Sequence, residues 1–154
     1  MTSLRRLDHV AIMVRDTEAA LSYFSGRLGL EVVHVDELER PPVRLTYLDC
    51  GNAFIQLVEP LDPAHELARG LDERGEGLHH ICFGVDDVAR AVEELSEPAM
   101  ERTPLGSGRG RISGFIANGC LHGVLLECTG FDIEKDVAES PGWLPGEGCS
   151  SDSA

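Results

Sequence analysis

The chain repeats itself, and the repeat limits the folds open to it more than any other feature. Leu7-Asp8-His9-Val10-Ala11-Ile12-Met13-Val14-Arg15-Asp16 matches Leu78-His79-His80-Ile81-Cys82-Phe83-Gly84-Val85-Asp86-Asp87 at an offset of 71 residues. Phe54-Ile55-Gln56-Leu57 matches Leu125-Leu126-Glu127-Cys128 at the same offset. Two distant segment pairs sharing one offset, with no net insertion between them, indicate two tandem copies of one unit. The copies run over 5–60 and 76–130, joined by a connector at 61–75 and followed by an acidic tail at 131–154.

Each copy has a legible order of elements. Val10, Ile12 and Val14 alternate with His9, Ala11 and Met13, the period of a half-buried strand. Asp16 is an N-cap followed by Leu21, Phe24 and Leu28 at helical spacing, with Gly29 as the stop. β-rich stretches at 31–36, 43–49 and 53–59 complete the first copy. The second repeats the order: a strand at 78–85, a cap at Asp87, a helix with Val88, Val92 and Leu95 on its apolar stripe, an end at Pro98, and strands at 111–116 and 123–129. In the connector, Asp62-Pro63 reads as an N-cap with proline at the first helical position, and Gly75 as the terminator. Gly106-Ser107-Gly108-Arg109-Gly110 lacks the lysine and following helix of a phosphate loop and reads as a flexible rim loop. The fold class is α+β: two βαβββ modules forming an open, cup-shaped mixed sheet. The end of the tail, rich in Gly and Ser, is expected to be partly disordered.

Strand parity then sorts the polar residues. His9 shares a face with Ala11 and Met13, and His80 shares one with Cys82 and Gly84, opposite the aliphatic sets that belong under each helix. Gln56 sits with Phe54 and Val58, and Glu127 with Leu125 and Thr129. Each copy therefore offers one nitrogen and one oxygen donor on the face away from its helix. His9, Gln56, His80 and Glu127 make a plausible octahedral site with positions left for water or substrate. Such donors suit Co, Mn, Ni, Zn or Fe without choosing among them. His79 falls on the opposite face and reads as structural. The net charge of −14 argues against a nucleic-acid partner, whose phosphates need clustered basic groups. No apolar run reaches the ~18–20 residues of a membrane span. An odd set of five cysteines without a C-x-x-C pair argues against a disulfide framework. A soluble cytoplasmic protein is the expectation.

Leu7-Asp8-His9-Val10-Ala11-Ile12, Ile55-Gln56-Leu57-Val58-Glu59-Pro60 and Gly75-Glu76-Gly77-Leu78-His79-His80-Ile81 resemble the signature segments of the vicinal oxygen chelate (glyoxalase/bleomycin-resistance) superfamily. Val85-Asp86-Asp87 and Gly123-Val124-Leu125-Leu126-Glu127 extend the likeness, which is greatest to the methylmalonyl-CoA epimerase branch. The resemblance implies His9, Gln56, His80 and Glu127 as ligands of a divalent metal. It also implies Glu127 as the base that abstracts an α-proton from an acyl-CoA or related carbonyl acid, and a homodimer.

Two departures stand against that pattern. Leu45 occupies a position where epimerases of this type often carry a glutamate, leaving Tyr47, of the same parity, as the substitute catalytic group. Phe115-Ile116-Ala117-Asn118-Gly119-Cys120-Leu121-His122 replaces a His-Pro-Lys stretch, leaving Arg109, Arg111 or Arg69 to meet a phosphate-bearing ligand. The implied activity is a metal-dependent isomerase, an epimerase acting through an enolate. The alternatives are a single-base tailoring enzyme of natural-product biosynthesis and a non-catalytic protein that sequesters a small molecule.

Overall fold

The computed structural model describes residues 1–119 and 121–132; the expectation for the end of the tail lies outside the described residues. The first copy contains β1 (Leu4–Met13), α1 (Thr17–Phe24), β2 (Glu31–Glu39), β3 (Pro42–Asp49) and β4 (Phe54–Pro60). A connecting helix, α2 (Glu66–Arg74), leads to β5 (Gly77–Val85), α3 (Val88–Leu95), β6 (Gly106–Gly108), β7 (Arg111–Phe115) and β8 (Leu126–Gly130). The strands form one mixed, cup-shaped sheet in the order β2-β3-β4-β1-β5-β8-β7-β6. Outward from the middle, β1-β4-β3-β2 is mirrored by β5-β8-β7-β6. The two halves meet where β1 and β5 pair antiparallel, and within each half the first strand pairs parallel with the last.

Local chemistry sets the element ends. The Asp16 and Asp87 side chains accept from Ala19 N at 3.1 Å and Arg90 N at 3.0 Å, capping α1 and α3 at equivalent positions of the repeat. Helix α1 ends at Phe24 rather than running to Gly29. Past it the Gly26 and Leu28 amides reach back five residues to the Leu21 and Tyr23 carbonyls, so the coil widens before Gly29 turns at φ 74°. Helix α2 starts later than Asp62-Pro63 predicts. Asp62 accepts from Ala64 N with its side chain and from His65 N with its carbonyl, closing a separate turn, and His65 becomes the cap. Strand β8 begins at Leu126 because His122 (φ 58°) and Gly123 (φ 74°) hold left-handed conformations that no strand accepts. The glycine-rich segment read as a rim loop is instead β6 and a tight turn into β7.

The two faces of the sheet differ. On one, α1 covers Val14, Leu48 and Leu57, and α3 covers Val85, Ile116 and Cys128. On the other, Ala11, Met13, Val43, Leu45, Tyr47, Phe54 and Val58 line the inside of the cup. Gly114 of β7 lets α3 approach closely, since a Cβ there would lie 2.8 Å from Val92 Cγ2. Leu57 is fully buried beneath α1. Its truncation to alanine is expected to cost about 2–5 kcal/mol, read as a lowered urea midpoint at unchanged slope. An unshifted midpoint would contradict this packing.

Candidate metal centre and active site

The site lies on the β1·β5 seam. Register places His9 opposite Cys82, and Cys82 beside Glu127 of β8; it places His80 opposite Ala11, and Ala11 beside Gln56 of β4. Two rows therefore cross the sheet, Gln56–Ala11–His80 and Glu127–Cys82–His9, and the repeat offset carries each onto the other. In both, a small fully buried residue separates the oxygen donor from the histidine, leaving room for the rings to turn toward each other.

They do turn. His9 Nε2 and His80 Nε2 lie 3.2 Å apart, and Glu127 Oε2 lies 3.3 Å from the first and 2.9 Å from the second. These three groups could hold a metal ion between them. Gln56 lines the same cavity, where its Nε2 donates to the Tyr47 hydroxyl at 2.7 Å. Gln56 Oε1 is buried without a hydrogen-bond partner, a lone-pair donor left open to a cation. The donor set thus fits a divalent cation: imidazole nitrogens, a carboxylate and an orphaned amide oxygen, all in one chain. Tyr47 and Leu45 both face this cavity.

The β1·β5 register shifts at three places, and two of them bear on the site. The β1 register shifts between Leu7 and His9, and the β5 register shifts at His79, between the pairs Ala11↔His80 and Ile12↔Leu78. These bulges let Asp8 and His79 accompany their neighbours instead of facing away. Asp8 Oδ2 meets His9 Nδ1 at 2.8 Å, and His79 Nδ1 meets His80 Nδ1 at 2.7 Å. The two are equivalent in the repeat, and each steadies the ring nitrogen that points away from the cluster. An Nδ1–H of His9 donating to Asp8 leaves the Nε2 lone pair facing inward, the arrangement a metal-binding histidine needs. The adjacent polar pairs Asp8-His9 and His79-His80 were the available signal in the sequence.

The arginines also sort differently from expectation. Arg69 is exposed on α2, and Arg111 donates to the Gly130 carbonyl at 3.1 Å. Arg109 turns into the cup, where it pairs with Asp8 at 3.1 Å and lies 4.4 Å from the centre of the Phe54 ring. Arg6 approaches the same carboxylate at 3.3 Å.

Burial and neighbours set the protonation states. Burial raises the Asp8 carboxyl, but the hydrogen bond from His9 and the Arg109 charge outweigh it, so Asp8 ionises well below the usual range. Glu127 behaves alike: burial opposes ionisation, and His80 and His9 override it. Burial lowers His9, yet its bonds to Asp8 and Glu127 raise it overall. Burial and the neighbouring His80 bring His79 down to about 4, so it is neutral at physiological pH. Burial lifts the Tyr47 hydroxyl well above its ordinary 10, and lifts the Cys82 thiol likewise, which leaves both protonated.

Linkage gives these shifts a pH signature in metal-free protein. The His9 contribution is complete below its ordinary 6.5 and is lost as pH rises through the higher folded value. The Asp8 and Glu127 contributions are complete above their ordinary 3.8 and 4.5 and are lost as pH falls. In EDTA the melting temperature is expected to peak between these limits and to fall on both sides. A melting temperature that climbs steadily to pH 8 would contradict the assignment.

Residues 8–117 match the model of the Glyoxalase/Bleomycin resistance protein/Dioxygenase superfamily. An ethylmalonyl-CoA/methylmalonyl-CoA epimerase of Cereibacter sphaeroides is 35% identical over 108 residues, 70% of this chain and 79% of that one. Among solved structures, a variant of Streptomyces coelicolor methylmalonyl-CoA epimerase in complex with 2-nitronate-propionyl-CoA superposes with a TM-score of 0.74 at 29% identity, covering 83% of this chain and 95% of that one. Methylmalonyl-CoA epimerase from Mycobacterium tuberculosis superposes with a TM-score of 0.74 at 27% identity, over 86% and 93% of the two chains. The chain belongs to the glyoxalase/bleomycin resistance protein/dioxygenase superfamily, and the relatives it matches include methylmalonyl-CoA epimerases.

Proposed function

We propose that this protein is a metal-dependent epimerase of acyl-CoA thioesters of the methylmalonyl-CoA type. The observation that carries the reading is the meeting of His9, His80 and Glu127 on the seam between the two copies, within 3.3 Å of one another. His9, Gln56, His80 and Glu127 would hold the cation. When bound, a divalent ion there supplies Lewis-acid stabilisation of the negative charge that develops on the thioester oxygen.

The remaining chemistry belongs to the chain. Glu127 is ionised and accepts the α-proton, the C–H electron pair moving toward the carbonyl. Asp8 and His79 hold the two imidazoles in the orientation that keeps both Nε2 atoms directed at the cluster. Tyr47 accepts from Gln56 and retains its own hydrogen, so it can return a proton to the opposite face of the α-carbon. Leu45, buried beside it, excludes water but transfers nothing. That apolar residue favours one second reading, a tailoring isomerase working with Glu127 alone. Homodimerisation and a cytoplasmic location belong to the same proposal.

The test is deuterium exchange at the α-carbon of methylmalonyl-CoA in D₂O with cobalt-loaded protein. Exchange is expected well above the metal-only blank, and Glu127→Gln should lower it by about 10²–10⁴-fold. No exchange with one cobalt per chain would overturn the epimerase reading. Tyr47→Phe separates the two mechanisms. If Tyr47 delivers the second proton, inversion slows by about 10²-fold or more while exchange from the Glu127 face persists; exchange and inversion that stay in step, unchanged or altered alike, favour the single-base enzyme.

A further inference from the structure

The turn between β6 and β7 reaches across the cup from the second copy to the first. Arg109 at its tip is left-handed (φ 56°), as is Gly110 (φ 69°). The Arg109 amide donates to Asp36 Oδ2 of β2 at 2.7 Å, and a Cβ on Gly108 would lie 2.7 Å from the Tyr47 hydroxyl. From this tip the Arg109 side chain runs inward. Its guanidinium rests on the Phe54 and Tyr47 rings, 4.4 and 5.4 Å from their centres, pairs with Asp8 at 3.1 Å, and is 6% exposed.

Asp8 would keep other partners if this arginine left it. It already has Arg6 at 3.3 Å and His9 at 2.8 Å. Arg109 lines the same cavity as His9, Gln56 and Glu127, so a cation held there would sit close to its guanidinium. An acyl group with a free carboxylate, gaining a second negative charge as its α-proton leaves, suits that pair of positive charges. Space leads to the same place. The cavity between Asp8, His9, Tyr47, Gln56 and Glu127 is about 30 Å³, enough for an ion or a water and too small for an acyl chain. Arg109 is among the residues that line it, carried on a turn at the end of a three-residue strand at the sheet edge.

We infer that Arg109 is a specificity-determining residue: its guanidinium leaves Asp8 as substrate enters and takes the free carboxylate of a malonyl-type acyl group through paired N–H donors. The planar fork suits a carboxylate, and a buried charge-assisted pair discriminates strongly against an acyl group that lacks one. This inference rests on the acyl-CoA reading above.

Calorimetric titration of cobalt-loaded protein with malonyl-CoA and acetyl-CoA, which differ by one carboxylate, tests it. Wild type is expected to bind malonyl-CoA about 100-fold more tightly, and Arg109→Gln to reduce that ratio by about 10-fold or more. A merely structural Arg109 would weaken both ligands equally and leave the ratio untouched, which overturns the inference, as does a wild-type ratio near one. Arg109→Lys keeps a countercharge near Asp8 without the fork, and an intermediate ratio is expected. Should Arg109→Gln fail to fold, an unchanged ratio in Arg109→Lys overturns the inference by itself. A wild-type protein that keeps the preference yet exchanges no α-deuterium on methylmalonyl-CoA would instead remove the epimerase reading and leave Arg109 as an acyl-carboxylate binder.

Discussion

The antiparallel pairing of β1 with β5 is the interaction on which the rest depends. It joins the two copies of the repeat at one register, and that register sets His9 diagonal to His80 with Ala11 and Cys82 as their small neighbours. A one-residue slip would send every side chain of a strand to the other face, moving the histidines under the helices and the aliphatic residues into the cup. The hydrophobic pattern opposes that slip on both sides. Ile12 and Val14 belong with Leu48, Leu57 and α1, while Ala11 and Met13 belong with Tyr47 and Phe54. Packing far from the cluster therefore enforces the meeting of His9, His80 and Glu127.

The polar groups gathered there run against ordinary core chemistry. Asp8, Arg6, Arg109, Glu127, His9 and His80 are all screened from water in a domain whose surface carries a large negative excess. A buried carboxylate shared by two arginines and an imidazole stabilises less than an apolar replacement of the same volume commonly does. What the arrangement supplies is fixed charge and fixed ring orientation. Asp8 shows the economy of it, since one carboxylate holds the His9 tautomer and parks the guanidinium of Arg109 at the same time.

Much of this was legible in the residues. The offset of 71 positions revealed both copies, and period-two alternation in Val10–Val14 and its counterpart assigned His9, Gln56, His80 and Glu127 to the inner face. The fold class, the βαβββ order of elements and the matching helix caps at Asp16 and Asp87 followed from the same reasoning. Parity could not reveal the bulges at Asp8 and His79, because an extra residue in one strand is a property of the pairing with its partner. Strand β6 was hidden because Gly-Ser-Gly has no alternation to display, and its hydrogen bonds with β7 make it a strand. The inward course of Arg109 depends on a left-handed turn and on Asp36, a residue 73 positions away, which no local pattern encodes. Helix ends missed by a few residues reflect turns closed by single side chains, such as Asp62 on Ala64.

If each copy contributes equally to one metal centre inside one chain, cobalt stoichiometry will register it. Mass spectrometry and calorimetric titration of the purified protein should find one Co(II) per chain. His9→Ala and His80→Ala should each weaken binding by more than the roughly 10–100-fold that loss of a supporting residue costs. One cobalt per two chains, or an affinity that depends on only one of the two histidines, would mean that the two copies do not share one centre.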